Sequence, residues 1–283
     1  VPKIALVTDT ISCLPPELIA QHNIEIVPIT ILVGGKVYRD WVDMDPDKAY
    51  QLFLQDPDSF KAAPATPEEC YQVLARVSQK AEEVVCICAS GQISTLVNVL
   101  RTAAEKLCGD QPGTRVEIID SETATAAEGF VALAAAAAIE ADKPLAVVLE
   151  AARKVKAKVK VVALLDTVKY VYRSGRVPRI AAQVGSILQI KPIFTIEGTV
   201  HFTTAVVSRR KGIERMLKMM KDKVGKKPIH CAVMHAYDLQ EAQELKALVA
   251  AQFNCVELWV SEFSPVMGYA TGTGALGLAF YAD

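Results

Sequence analysis

Three short polar clusters each follow an apolar run: Thr8-Asp9-Thr10, Ser90-Gly91-Gln92-Ile93-Ser94-Thr95 and Asp120-Ser121-Glu122-Thr123. Each preceding run is rich in Val and Ile and of strand length, so each cluster sits at a strand's C-terminal end. Ligands of open α/β sheets bind beyond those ends. Hydroxyls beside the helix starts that follow would suit a small anionic group. The clusters converge only if the strands are parallel. Ser, Thr and Asp are also the commonest helix caps, so a purely structural use of these residues stays open.

Other chemistries find less support. No G-x-G-x-x-G follows the first strand, and no Walker loop, G-x-S-x-G or H-E-x-x-H is present. Gly272-Thr273-Gly274-Ala275-Leu276-Gly277 has dinucleotide-loop spacing, but it lies where no βαβ unit can follow. His22, His201, His230 and His235 show no metal-ligand spacing, and no metal or other cofactor is expected. The seven cysteines are odd in number and scattered, which is no disulfide framework. They read as buried thiols of a reducing cytoplasm. Cys86 and Cys88 stand two apart in a strand-like run and share a face.

The elements that must position these groups alternate between strand and helix. The 283 residues, 51% of them hydrophobic, exceed one ordinary domain and can fill two cores. Strands are expected at 3–8, 24–32, 83–89 and 115–119. Val33-Gly34-Gly35-Lys36 reads as a hairpin turn. Asp45-Pro46 starts a helix, and Thr66-Pro67-Glu68-Glu69 is a capping box with Pro at the first helical position. A helix is expected near 94–107, followed after the fourth strand by an alanine-rich helix and one opened by Pro144. From about residue 158 come a strand at 159–165, helices near 167–173 and 179–188, and a hairpin around Glu197-Gly198. A basic helix near 209–223, strand 229–235, helix 239–251, strand 255–260 and a Gly-rich C-terminal segment complete the chain. The expected fold is therefore α/β in two domains, residues 1–157 and 158–283. The first is a mostly parallel three-layer α/β/α sheet, and the second is an α/β domain with a mixed sheet.

No apolar run reaches the roughly 18–20 residues of a membrane span, and the N-terminal run is strand-length rather than a signal peptide. The net charge of −1 hides a segregation: residues 150–230 carry 19 Lys/Arg against 5 Asp/Glu. Without a continuous basic face with stacking aromatics, no nucleic-acid partner is expected.

In their order along the chain these blocks resemble the DegV family of bacterial fatty-acid-binding proteins. Thr8-Asp9-Thr10 with Leu14-Pro15 is similar to the family's opening T-D-S…L-P. Tyr38-Arg39-Asp40 with Asp43 is similar to Y-x-D-G-x-D, and Ile119-Asp120-Ser121 to I-D-S. The most specific block, Leu165-Asp166-Thr167 through Gly175-Arg176-Val177, resembles D-T-L-x-Y-L-x-x-G-G-R-I. Gly185 through Ile193 resembles G-x-L-L-x-I-K-P-I. Arg209-Arg210-Lys211, His235-Ala236 and the final glycines follow in family order.

The resemblance implies one long-chain fatty acid, or a related lipid, in an apolar tunnel between the domains. The carrier catalyses nothing itself and presents its ligand to a fatty acid kinase subunit in the cytoplasm. A monomer is expected. The chain departs from the family at the head-group positions. A Thr-Ser pair becomes Ala62-Ala63, the carboxylate-binding Ser falls at Ile93, and a His falls at Ala270. Thr10, Ser90, Ser94, Thr95 and Arg176 remain as head-group candidates, or the ligand has another head or is neutral. Arg173, Arg209 and Arg210 are candidates for the partner surface, whereas Lys154, Lys156, Lys158 and Lys160 read as a solvated helix face. The enzymatic alternative is a hydrolase or transferase using Ser94 or Ser121, with His235 as the available base.

Overall fold

The computed structural model describes residues 3–177 and 190–283; the expected helix near 179–188 and most of the Gly185–Ile193 block lie outside them. Strands β1 (Ile4–Asp9), β2 (Ile24–Val27), β6 (Glu83–Cys88) and β7 (Arg115–Asp120) form a parallel sheet in the order β2-β1-β6-β7. Leu6 pairs with Ile24, Val7 with Cys86, and Cys88 with Asp120. Such strands are apolar on both faces because helices cover both. Val84, Cys86 and Cys88 face helices α3 (Pro67–Ser78) and α4 (Leu96–Asp110), while Val85 and Ile87 face α5 (Ala126–Glu140). The two thiols share a face, as their spacing predicts, and burial pushes both far above the ordinary thiol range.

The apolar run 24–32 is not one strand. Pro28 interrupts it, and Thr30–Val33 (β3) joins Lys36–Arg39 (β4) and Phe60–Ala63 (β5) in a separate antiparallel sheet, order β4-β3-β5. Gly34 and Gly35, both at positive φ, make the expected two-residue turn. Asp45 caps α2 (Pro46–Gln55) by accepting from Lys48 N–H. Thr66 and Glu69 complete their capping box in both directions.

Strands β8 (Lys160–Leu164), β9 (Lys191–Glu197), β10 (Thr199–Val206), β11 (Ile229–His235), β12 (Cys255–Glu262) and β13 (Leu276–Ala282) form a six-stranded mixed sheet. Their order is β10-β9-β8-β13-β11-β12, with only β11 and β12 parallel. Strand β13 is the main correction to the sequence reading. The Gly-rich tail is an interior strand between β8 and β11, antiparallel to both. Gly277 stands where a Cβ would meet the Met234 side chain, so this glycine serves close packing.

Helices α8 (Arg209–Val224) and α9 (Leu239–Gln252) cover one face of this sheet through Met216, Met220, Leu245 and Val249. Its other face meets α5 and α6 (Leu145–Lys158). Helix α5 thus packs against strands of both sheets and against α6, which explains its alanines. A helix that is apolar all round is one with neighbours on every side.

Two further short helices bear on the site: α7 (Lys169–Arg173), and α10 (Pro265–Thr271) between β12 and β13. Helix α10 reaches back onto α2, β3 and β5. Its Gly268 lies so close to the Tyr50 ring that a Cβ there would clash with it. The Tyr50 hydroxyl donates to the Phe263 carbonyl at 2.9 Å.

Candidate functional site

Because β1, β6 and β7 are parallel neighbours, their polar ends do converge. Most of these groups are then used within the chain. Asp9 accepts Ile11 N–H at 2.7 Å and Ala89 N–H at 3.1 Å, tying the end of β1 to that of β6. Burial pushes its carboxyl up to about 6 against those two N–H donors. Asp120 accepts Glu122 N–H at 2.8 Å and Gly91 N–H at 3.1 Å. The tip of the β9–β10 hairpin closes the crevice: Gly198 N–H donates to the Glu122 carbonyl at 2.7 Å, and the Ser90 hydroxyl donates to the Gly198 carbonyl. The strand ends therefore hold another part of the chain.

Behind this seal lies a cavity of about 570 Å³ between the two large sheets, bounded also by β5 and α10. One wall is strand β8 and its continuation. Val161, Ala163 and Leu165 face the cavity, while Val162 and Leu164 face α8. Phe194, Ile196 and Val200 of the β9–β10 hairpin extend this wall. Ile11, Ile29 and Ala124 close it from the first half, and Phe263, Val266, Met267 and Tyr269 from the α10 segment. This is an apolar space of the size that holds one small organic ligand.

One end is polar. Ser94 and Thr95 stand at the start of the 15-residue helix α4. The Ser94 Oγ accepts Leu96 N–H at 3.3 Å, and Thr95 makes no side-chain cap bond. The positive end of the helix dipole thus opens on the cavity, with hydroxyls beside it. Arg176 lies over the same loop. Its Nε donates to the Ile93 carbonyl at 3.3 Å, and it has no carboxylate partner among the described residues. Ala62, Ala63, Ile93 and Ala270 all line the cavity, so the four substituted positions meet at this site. Thr10 and Ser90 lie outside its wall: Thr10 Oγ1 accepts Ile29 N–H at 3.3 Å, and Ser90 is committed to Gly198.

Gln92 of the second polar cluster, together with Thr125 and Thr271, which the sequence does not single out, adds polar atoms to the lining. The sequence reading passed over the β8–β9 wall. The signal for that wall is the run Val161-Val162-Ala163-Leu164-Leu165, apolar at every position and so bound to bury both faces.

Arg173 and Arg209 bind within the chain. Arg173 donates to Asp58 at 2.7 Å and lies over the Tyr170, Phe53 and Tyr269 rings. Arg209 is held by Asp166, Asp238 and Glu241, and Lys191 reaches the same Asp166 at 2.8 Å. Arg210 is 90% exposed and, among the described residues, pairs only with Glu214. Gly272 and Gly274, both at positive φ, lie against the Tyr170 ring and the Asp166 carboxylate, so the C-terminal glycine spacing serves close approach to the D-T block. The Ser121 hydroxyl donates to the Thr123 carbonyl at 3.3 Å. Among the described residues, neither Ser121 nor Ser94 is hydrogen-bonded to a histidine. His235 lines a different cleft.

Comparison with known proteins agrees with this geometry. The family model described as "Uncharacterised protein, DegV family" matches residues 3–283. A DegV domain-containing protein of Listeria monocytogenes is 30% identical over 98% of both chains. A solved structure described as fatty acid binding of a DegV family protein from Thermus thermophilus superposes with TM-score 0.90 at 26% identity, covering 99% of this chain and 100% of that one. A stearic acid-binding protein of Eubacterium ventriosum, at 23% identity, shares the fold with TM-score 0.89 over 100% of this chain and 98% of its own. With its family model matched from the first strand to the last residue, the chain belongs to the DegV family.

Proposed function

We propose that this protein binds one long-chain fatty acid in the cavity between its two large sheets and carries it without transforming it. The observation that carries this reading is the cavity itself, apolar along β8, the hairpin and α10, and polar only where α4 begins. Burying an acyl chain there gains about 0.8 kcal/mol per methylene. The carboxylate needs charge-assisted hydrogen bonds to stay ionised on leaving water. Ser94, Thr95 and Arg176 supply them, while Thr10 and Ser90 hold the loops behind. Ala62, Ala63, Ile93 and Ala270 leave this head-group site with fewer hydroxyls than the family pattern, so the charge of Arg176 dominates it. The relative from Thermus thermophilus, described as fatty acid binding, supports the ligand class.

The carrier works as a monomer in the cytoplasm, its halves dividing near residue 158. It presents the carboxylate to a partner acyl kinase through the exposed Arg210 and the neighbouring basic helix face. Among the described residues no helix is long and apolar enough to cross a membrane. Native mass spectrometry of the purified protein, followed by lipid extraction, tests the reading. The expected result is one fatty acid per chain and a rise in melting temperature on adding more to stripped protein. Repeated preparations free of lipid and indifferent to fatty acids would reject it.

A further inference from the structure

A second cleft, about 1770 Å³ and larger than the first cavity, runs between the α1 (Pro16–Gln21), β1 and α5 side and the outer strand β12. At one end it meets the C-terminal ends of the parallel pair β11–β12, the place where α/β sheets hold ligands. His235 and Glu262 are register partners there. His235 is 4% exposed, and its Nδ1 accepts Asp238 N–H at 3.2 Å. Burial holds the ring well below the ordinary imidazole range, at about 4, so it is neutral and carries its hydrogen on Nε2. Among the described residues that Nε2 has no hydrogen-bond partner, and His235 lines the cleft.

Beside it, Glu262 is half-buried. Burial and the Asp47 carboxylate push it up to about 7, and no cation pulls it down. Trp41 and Tyr237 complete this corner, the latter stacked on Tyr50 at 5.2 Å. The cations of the lining lie away from this corner: Lys3, Lys80 and Lys143 stand in the segments that lead into β1, β6 and α6, and Arg76 of α3 pairs with Glu25. Backbone conformation marks the same cleft. Of the seven described non-glycine residues at positive φ, five line it, Trp41 and Tyr237 among them. Bulky residues are rare in that region and persist where the surroundings enforce them.

We propose that this corner is a ligand site separate from the lipid cavity and that it takes an amino alcohol. The ammonium group sits between Glu262 and Asp47 against the aromatic rings of Trp41 and Tyr237, and the hydroxyl accepts the His235 Nε2 hydrogen. Two carboxylates without a cation, next to aromatic faces, select an organic cation. The His235 N–H, which opens on the cleft and is used by no other described group, offers a neighbouring oxygen a donor held in place by the Nδ1 bond. A carboxylate in place of the hydroxyl would face two anions and is rejected.

Isothermal titration with leucinol, at a pH above the titration of Glu262, tests this. Leucinol binds, isoamylamine binds more weakly for lack of the hydroxyl, and isoamyl alcohol and leucine do not bind. Glu262→Gln weakens leucinol about tenfold or more, a loss of about one decade in Kd. Asp47→Asn does the same and serves if the first variant melts early. Protein saturated with stearate binds leucinol unchanged. No leucinol binding, equal binding of isoamyl alcohol, unaltered affinity in both variants, or displacement of leucinol by stearate would each overturn the proposal. The outcome is independent of whether the first cavity carries a fatty acid.

Discussion

Arg176 gathers the head-group chemistry at the residue scale. It is exposed, lies at the mouth of the cavity, and is the one cation in its described lining. Arg176→Gln is expected to weaken a fatty acid about tenfold, about 1.4 kcal/mol, while leaving the corresponding fatty alcohol unaffected. Competition binding with the two ligands checks this; equal losses would deny that a carboxylate is read there. A second residue-scale prediction concerns Asp40, buried between the two halves. Burial pushes its carboxyl up to about 7, and among the described residues neither carboxyl oxygen has a hydrogen-bond partner. An acid raised in the folded state keeps a proton that the unfolded chain has already lost. Stability therefore falls as pH rises from about 4 to about 7 and stays low above. Asp9, raised to about 6, adds in the same direction. Asp40→Asn is expected to melt like the parent at the acid end and higher above neutrality, by about 2–4 kcal/mol. Thermal unfolding across pH measures this, and a variant with an undiminished slope would refute it.

Helix α10 connects packing to binding at the element scale. It leaves the mixed sheet after β12, seats on α2, β3 and β5, and supplies one wall of the cavity. Its seat depends on Gly268 against Tyr50. Gly268→Ala must displace a buried ring and is expected to cost about 1–3 kcal/mol and to weaken lipid binding with it. Denaturant midpoints and a binding titration report both losses; a loss of stability alone would separate α10 from the site. The capping box of α3 and the turn at Gly34-Gly35 were legible in the sequence because both are local chemistry. Strand β5, helix α10 and strand β13 were not. Their residues are ordinary, and partners remote in sequence decide their conformations. Of the glycines that suggested a loop, Gly277 lies in β13, where Met234 needs room, and Gly272 and Gly274 precede it against Tyr170 and Asp166.

At the scale of the molecule the two large sheets share one helix, α5, with a cavity where their surfaces fail to meet. A ligand in that space touches both halves and stabilises both. Saturating fatty acid is expected to add about 2.7 kcal/mol at one hundred times Kd, read as a single cooperative transition at higher temperature. Two transitions that respond separately would contradict a shared site. Ala163, on the cavity face of β8, sets the room available to the acyl chain. Ala163→Phe is expected to move the co-purified lipids toward shorter chains, as mass spectrometry of extracts would show. An unchanged lipid profile would place the tail elsewhere.

What the amino-acid sequence determined by itself was whatever neighbours in the chain decide. That covers the alternation of strands and helices, the caps, the hairpin turns, the shared face of Cys86 and Cys88, and the ordered blocks that carry the family resemblance. It also showed that the head-group positions hold Ala62, Ala63, Ile93 and Ala270. Only the tertiary structure decided what the polar strand ends do, because hydroxyls and carboxylates suit a ligand and a backbone equally well. Here the Gly198 hairpin tip arrives from the other half of the chain and takes them. The basic block divided in the same way. Charge is readable in sequence, but the Asp166, Asp238 and Glu241 carboxylates that enclose Arg209 meet only after folding. Cavities, too, are invisible along a chain, since they exist where packed surfaces part.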